Sequence, residues 1–137
     1  MDGRWRPDYL PFWLTDTTAH PLAFLLDSQP VGFAFIGIKP FPYMSADEDL
    51  RISEFFVHPA YRRGGIGRRA ACTLFGSYQG VWEVTQLIRN TAARAFWLTV
   101  IGAYTNGRFA SIISTNETRQ VFETSSEEAP LGSPTAG

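Results

Sequence analysis

Short apolar runs rich in aromatic and β-branched residues alternate along the chain with stretches whose apolar side chains recur every three or four positions. The first pattern is typical of strands and the second of helices. Strands are predicted over residues 22–26, 31–37, 51–57, 81–86, 109–114 and 118–124. Helices are predicted over residues 66–76 and, with Asn90 as its N-cap, from residue 90 to about residue 100.

Turn-forming residues set the connections between these elements. Residues 27–30, Asp-Ser-Gln-Pro, predict a hairpin with a four-residue connection, and residues 115–117 predict a second hairpin that closes the domain. Residues 39–49 contain two prolines and end in Asp-Glu-Asp, so we expect an exposed loop there. Prolines interrupt the first twenty residues, which favours a short turn or one brief helix.

This order of strands and helices predicts an α+β domain, or α/β sandwich, in which helices flank a mixed sheet. The 137 residues, 45% of them hydrophobic, are enough for one domain with a substantial core. We expect that domain to span residues 1–124, with residues 1–21 as an abbreviated front segment. The Ser, Glu, Pro, Gly and Ala content of residues 125–137 predicts a disordered tail.

Composition and charge exclude several classes of function. A formal net charge of -1 gives no reason to expect nucleic acid or an acidic membrane as the partner. No apolar run is long enough for a membrane span and no signal-peptide pattern opens the chain, so we expect a cytoplasmic protein. Cys72 is the single cysteine, which rules out an internal disulfide. His20 has no carboxylate or cysteine at ligand spacing, and His58, at a strand end beside Pro59, is expected to be structural, so no metal site is predicted.

The most informative stretch is the loop between the strand at residues 51–57 and the helix at residues 66–76. Its glycines, Gly64, Gly65 and Gly67, let the backbone approach a ligand closely. The unpaired N–H groups of the helix N-terminus favour an anion. Positive charge comes from Arg62, Arg63, Arg68 and Arg69. The loop predicts a pyrophosphate cradle, although glycines in such a turn also have a purely steric use.

Two common nucleotide-binding motifs do not fit this loop. A P-loop needs lysine and then serine or threonine after its last glycine, whereas Gly67 is followed by Arg68 and Arg69. The dinucleotide fingerprint needs a third glycine three residues after the second, and Ala70 stands there.

Two other motifs do fit, and they occur in order. The first is Arg-x-x-Gly-x-Gly after the strand end Val-His-Pro, and it reads Arg62, Gly65 and Gly67. The second is Asn-x-x-Ala-x-x-aromatic at the start of the next helix, and it reads Asn90, Ala93, Phe96 and Trp97. Over about residues 22–121 the chain resembles the GNAT superfamily of N-acetyltransferases. Within that superfamily its sequence is similar to a little-characterised subgroup of predicted acetyltransferases.

The resemblance implies an acyl-CoA N-acyltransferase (GNAT-like) fold. In that fold the two central parallel strands, here those carrying Glu54 and Trp82, splay apart at their ends, and acetyl-CoA enters the gap as acyl donor. The main chain near Phe56 and Val57 would bind the pantetheine arm, and the loop would hold the pyrophosphate. The residues implied in acetyl-CoA binding are Phe56, Val57, Arg62, Arg63, Gly64, Gly65, Ile66, Gly67, Arg68, Asn90, Ala93, Phe96 and Trp97.

The implied reaction is direct transfer of the acetyl group to an amine of a small molecule or a protein. Glu54 is the candidate base, on the expectation that it is buried among apolar neighbours. Many family members carry a tyrosine after the position of Phe96, and this chain has Trp97, which cannot donate a proton at neutral pH. Tyr104, further along the helix, is the substitute candidate for the acid.

The short front segment is the second departure from the family pattern. It would leave the acceptor side open, and its aromatic residues would suit the interface of a homodimer. The alternative function is a non-catalytic acyl-CoA-binding or dimeric interaction module with a degenerate acceptor site. A third alternative is a structural domain whose glycines serve only the turn.

Overall fold

The computed structural model describes residues 5–7, 19–40 and 47–125. In that part of the chain seven strands form one mixed sheet in the order β1-β2-β3-β4-β5-β7-β6. The strands are β1 Trp5–Pro7, β2 Ala19–Leu26, β3 Gln29–Ile38, β4 Leu50–Val57, β5 Gly80–Leu87, β6 Ala110–Ile113 and β7 Glu117–Thr124. The helices are α1 Ile66–Ser77, α2 Thr91–Thr105 and a short 3₁₀ helix, Pro59–Gly64, between β4 and α1.

All six predicted strands and both predicted helices are present, and the α+β fold is confirmed. The predicted tail lies outside the described residues, except for Ser125, and so does most of the front segment. Residues 5–7 are described, and there the expected turn or brief helix is wrong. They form a strand that pairs antiparallel with β2. Because β1 is the last strand at its edge of the sheet, Pro7 can be accommodated there.

The first hairpin is confirmed, but its connection is shorter than predicted. β2 and β3 pair from Leu26 opposite Gln29, which leaves only Asp27 and Ser28 in the turn. Both of these residues have positive φ, 53° and 68°, as a two-residue turn matched to the strand twist requires. Pro30 lies inside β3 rather than in the turn.

The centre of the sheet contains its one parallel pair among the described strands, β4 beside β5. Leu50, Arg51 and Ile52 pair with β5, and the pairing stops there although β4 continues to Val57. On the β3 side, Ile52 lies opposite Ile36 and Glu54 lies opposite Phe35, so Ser53 is an extra residue. This one-residue β-bulge lies where β4 leaves β5. The predicted parallel strands and their divergence are confirmed.

Both helices pack on one face of this sheet around Phe75 of α1. Its ring contacts Trp82 of β5, Trp97 of α2 and Phe122 of β7, with centroids 5.1, 6.3 and 4.9 Å away. The predicted end of α2 near residue 100 is too early, because the helix continues to Thr105. Val100 and Ile101 extend its buried stripe, so packing stabilises the added turn.

The acidic end of the loop at residues 39–49 is tied to the sheet, contrary to the expectation of an exposed loop. Asp49 exchanges two hydrogen bonds with Val81 of β5: its N–H donates to the carbonyl at 2.8 Å, and its carboxylate accepts from the amide at 2.9 Å. Glu48 is buried, and only Asp47 of the three acidic residues is exposed. Residues 41–46 lie outside the described part of the chain.

Gly32 of β3 provides a test of the close contact between β3 and β4. A Cβ atom there would collide with the carbonyl oxygen of Phe56 and would lie 2.9 Å from the Phe24 ring. We therefore expect Gly32→Ala to lower the free energy of unfolding by about 1–3 kcal/mol, measured by urea denaturation. A Cβ at Gly64 has nothing within 4 Å, so Gly64→Ala should change stability by less than about 0.5 kcal/mol. Equal stability of the two variants would contradict the observed spacing.

Candidate functional site

The gap between β4 and β5 leaves main-chain groups unpaired in the sheet. The N–H of His58 donates to the carbonyl of Val31 on β3 at 2.8 Å. Because backbone groups alternate in direction along a strand, Phe56 also directs its amide towards β3, whereas Phe55 and Val57 direct theirs to the gap. Of the two predicted main-chain contacts, the Val57 amide faces the gap and the Phe56 amide does not.

The loop after β4 delivers the N-terminus of α1 to this gap. His58 caps the 3₁₀ helix, since its Nδ1 accepts from the Ala60 N–H at 3.1 Å. Gly65 then takes a left-handed conformation, with φ of 78°, as the N-cap of α1. It offers no side-chain acceptor, and no acidic residue stands in the first turn. The first N–H groups of α1 and the positive end of its dipole therefore lack the partners that a capped helix has, as an anion site requires.

The arginines of the loop have different surroundings. Arg62 folds back towards β4, where its Nε donates to the Val57 carbonyl at 2.7 Å and its guanidinium lies 5.5 Å from the centroid of Phe56. It therefore fixes the loop to the strand end. Arg68 and Arg69 are exposed on the first turn of α1. The side chain of Arg63 is outside the described part of the chain.

The Asn-x-x-Ala-x-x-aromatic motif of α2 packs against the glycine-rich loop. The Oδ1 of Asn90 accepts from the Ala93 N–H at 3.2 Å, so the predicted N-cap is confirmed. A Cβ at Gly67 would lie 3.3 Å from the Phe96 ring, which is why a glycine fits there. Trp97 is buried, 4.9 Å from the centroids of both Phe55 and Phe96. Trp97 therefore belongs to the core, where it packs against the strand end and the start of its own helix.

Glu54 is exposed, and the expectation that it is buried is wrong. Phe55, the next residue, points into the core, where its ring lies 5.3 Å from that of Phe24. Neighbouring side chains of a strand point to opposite faces, so Glu54 and Phe56 emerge on the face away from the helices. Glu54 stands on the diverging half of β4, beside the gap.

Tyr104 is not brought to this site. It lies two turns beyond Phe96 on α2, about 12 Å along the helix axis, and its ring packs 5.4 Å from that of Phe75. It borders a depression of about 270 Å³ that also includes Thr124, which pairs with Gly80 at the start of β5. The gap is at the other end of β5. Burial, and secondly the charge of Cys72, raise the pKa of Tyr104, which disfavours its anionic form.

The remaining candidates have structural roles. His20 contacts Tyr78, with Nδ1 3.4 Å from its hydroxyl. Cys72 is half-buried, and burial raises the pKa of its thiol despite the opposing charge of Arg68. The described residues contain no cluster of side chains that could hold a metal ion, and they contain no helix long and apolar enough to cross a membrane.

One buried charged cluster was missed in the sequence. Glu48 and Glu83 are each 4% exposed, and Arg119 lies 3.7 and 3.6 Å from their carboxylates. Burial, followed by the hydrogen bond and charge of Glu48, raises the pKa of Glu83 to about 7, although Arg51 and Arg119 act to lower it. The available signal was a glutamate in the middle of an otherwise mostly apolar predicted strand at residues 81–86.

A mixed sheet whose central parallel strands diverge beside an uncapped helix N-terminus defines the acyl-CoA N-acyltransferase fold. The family model described as the acetyltransferase (GNAT) family matches residues 2–103. The chain belongs to this family of acetyltransferases.

Solved structures agree with the fold. An acetyltransferase from Thermus thermophilus is 18% identical with a TM-score of 0.65, over 84% of this chain and 70% of that chain. A GNAT acetyltransferase from Elizabethkingia anophelis with acetyl-CoA bound is 12% identical with a TM-score of 0.60, over 88% and 97%. A Bacillus subtilis acetyltransferase in complex with CoA is 6% identical with a TM-score of 0.63, over 90% and 100%. No curated protein matches the chain.

The cluster around Glu83 predicts a stability that depends on pH. The folded state holds the Glu83 proton up to about pH 7, whereas a free glutamate loses it near 4.5. Between these values the folded state binds more protons, so its stability falls as the pH rises and levels off above about 7. We expect the free energy of unfolding to decrease by roughly 1–3 kcal/mol over this window because of Glu83.

Urea denaturation at pH 5 and pH 8 measures this loss. Glu83→Gln, whose amide resembles the protonated carboxyl group, should make the loss smaller. Glu123→Gln, an exposed change on β7, should leave the loss as in the unmodified protein. An unchanged loss in Glu83→Gln would show that this carboxyl group is ionised in the folded state at pH 5.

Proposed function

We propose that the protein is an acetyl-CoA-dependent N-acetyltransferase that moves the acetyl group directly to an amine of a small molecule or a protein. The observation that carries the proposal is the end of β4–β5 pairing at Ile52, beside the uncapped N-terminus of α1. Membership of the acetyltransferase family supports it. So does the relative from Elizabethkingia anophelis, which has acetyl-CoA bound.

The donor would be held by main-chain groups more than by side chains. Its pantetheine arm would lie in the gap and accept hydrogen bonds from the backbone amides of Phe55 and Val57, as an added strand does. Its pyrophosphate would accept hydrogen bonds from the first-turn amides of α1, with Arg68 adding positive charge. Arg62 already bonds the Val57 carbonyl, so its role would be to hold the loop against β4.

In the proposed transfer the nitrogen of the amine attacks the thioester carbonyl carbon, and the carbon–sulfur bond breaks as the new amide bond forms. The amine proton passes to Glu54, directly or through one water. A free backbone N–H in the gap would stabilise the oxyanion. The leaving thiolate takes its proton from solvent, since a thiolate is a good enough leaving group to depart without a side-chain acid.

Donor binding is tested at Gly65. Asparagine tolerates positive φ better than other side chains, so Gly65→Asn adds bulk over the cradle at limited cost in strain. We expect about a tenfold loss of acetyl-CoA affinity by isothermal titration calorimetry. Gly107 also has positive φ and open space around it, after α2, and Gly107→Asn should leave affinity unchanged. If Gly65→Asn bound acetyl-CoA with undiminished affinity, the pyrophosphate would have to bind elsewhere.

Catalysis is tested at Glu54. We expect Glu54→Gln to lower kcat by about 100-fold or more, because the amide cannot accept a proton. Its affinity for acetyl-CoA should not change, since the donor is held by the backbone. Glu117→Gln, an exposed change at the start of β7, is the control. Thiol release from acetyl-CoA is the measurement; binding without turnover in the unmodified protein would favour an acyl-CoA-binding module instead.

A further inference from the structure

Three phenylalanines form a cluster on the face of the sheet that α1 and α2 do not cover. The Phe33 ring lies 5.4 Å from Phe35 on the same strand and 5.4 Å from Phe56 on β4, with the second pair stacked at 28°. Phe33 and Phe56 are each 38% exposed. Partial exposure of two stacked rings beside the gap is unfavourable in water, and an apolar ligand there would remove that exposure.

The cluster borders the carboxylate proposed as the base. Phe33 lies opposite Phe56, and Phe35 lies opposite Glu54, in successive same-face pairs of β3 and β4. Such pairs repeat roughly every 7 Å along a strand. The exposed Glu54 carboxylate therefore stands one pair away from the stacked rings. That separation is about the length of a two- or three-atom chain between an aromatic ring and an amine nitrogen.

We propose that this surface selects as acceptor a primary amine carried on a short chain from an aromatic ring. The inference rests on the proposed N-acetyltransferase function. The ring of the acceptor packs on Phe33 and Phe56, and its ammonium group is drawn to Glu54 before it is deprotonated. Phe33 and Phe56 act as specificity residues, because they contact the part of the acceptor that does not react.

Charge and area favour this occupant. The Glu54 carboxylate, one same-face pair along β4 from Phe56, is complementary to an ammonium group. The exposed aromatic area is small: Phe33 and Phe56 are each 38% exposed and together expose roughly 150 Å², whereas a stable protein interface needs about 800 Å² per partner. A small molecule fits this area, and a second copy of the chain would need much more.

The test compares 2-phenylethylamine with n-propylamine as acceptors, by kcat/KM from thiol release. We expect the unmodified protein to prefer 2-phenylethylamine by at least tenfold. Phe33→Leu keeps an apolar side chain on the strand but removes the ring, and it should reduce that preference about tenfold. Ile112→Ala changes an apolar residue of similar exposure on β6, 43% exposed, and should keep the preference. Equal use of both amines, or an unchanged preference in Phe33→Leu, would overturn the inference.

A binding measurement separates failure of this inference from failure of the proposed function. Saturation-transfer NMR of 2-phenylethylamine in the presence of CoA reports ring contact without any turnover. Binding that weakens in Phe33→Leu and not in Ile112→Ala supports the inference, even if no thiol is released. In that case only the proposed catalysis fails. Absence of binding, or binding that Phe33→Leu does not alter, refutes the aromatic acceptor site whatever the turnover.

Discussion

The extra residue at Ser53 is the constraint on which the rest of the site depends. Before it, Leu50 and Ile52 point into the core; after it, Phe55 and Val57 do. The bulge thus shifts the inward positions by one residue and turns Glu54 and Phe56 outwards. It also bends β4 away from β5 just after their last paired residue. One inserted residue therefore opens the gap and places both a carboxylate and an aromatic ring beside it.

Aromatic packing fixes the second half of the site. Phe55, turned inwards by the bulge, contacts Phe96 and Trp97 at the start of α2. Phe96 in turn fills the space that a side chain at Gly67 would need. The strand end, the N-terminus of α1 and the N-terminus of α2 are consequently parts of one packed unit, and the spacing between the two motifs reflects this contact. Trp97 has a packing role in this unit, which does not depend on whether the reaction needs a proton donor at that position.

The sequence predicted what local rules control. The strands, the Asn90 cap and the glycine-rich helix start depend on neighbouring residues, and each is present. The failures are non-local. Glu54 continues the alternation of Leu50 and Ile52, so a regular strand would bury it. No residue type in β4 predicts the bulge. The burial of Glu48 depends on Glu83 and Arg119, 35 and 71 residues further along. Tyr104 also depends on the extent of α2. Because the helix continues to Thr105, Tyr104 lies two full turns beyond Phe96 and away from the gap.

The exposure of Glu54 changes the demands on the proposed chemistry. A buried base needs a path by which the proton can leave, whereas an exposed carboxylate can pass the proton to water directly. Positioning of the amine must therefore contribute a large part of the rate. The free amides of the gap and the N-terminus of α1 can position the donor, but they hold nothing of the acceptor. Surfaces on the Glu54 face can do that, and the described apolar side chains there include Phe35, opposite Glu54, and Phe33 and Phe56, one pair further along. An acceptor without an apolar group would be held by its ammonium alone, and a single exposed ion pair contributes little.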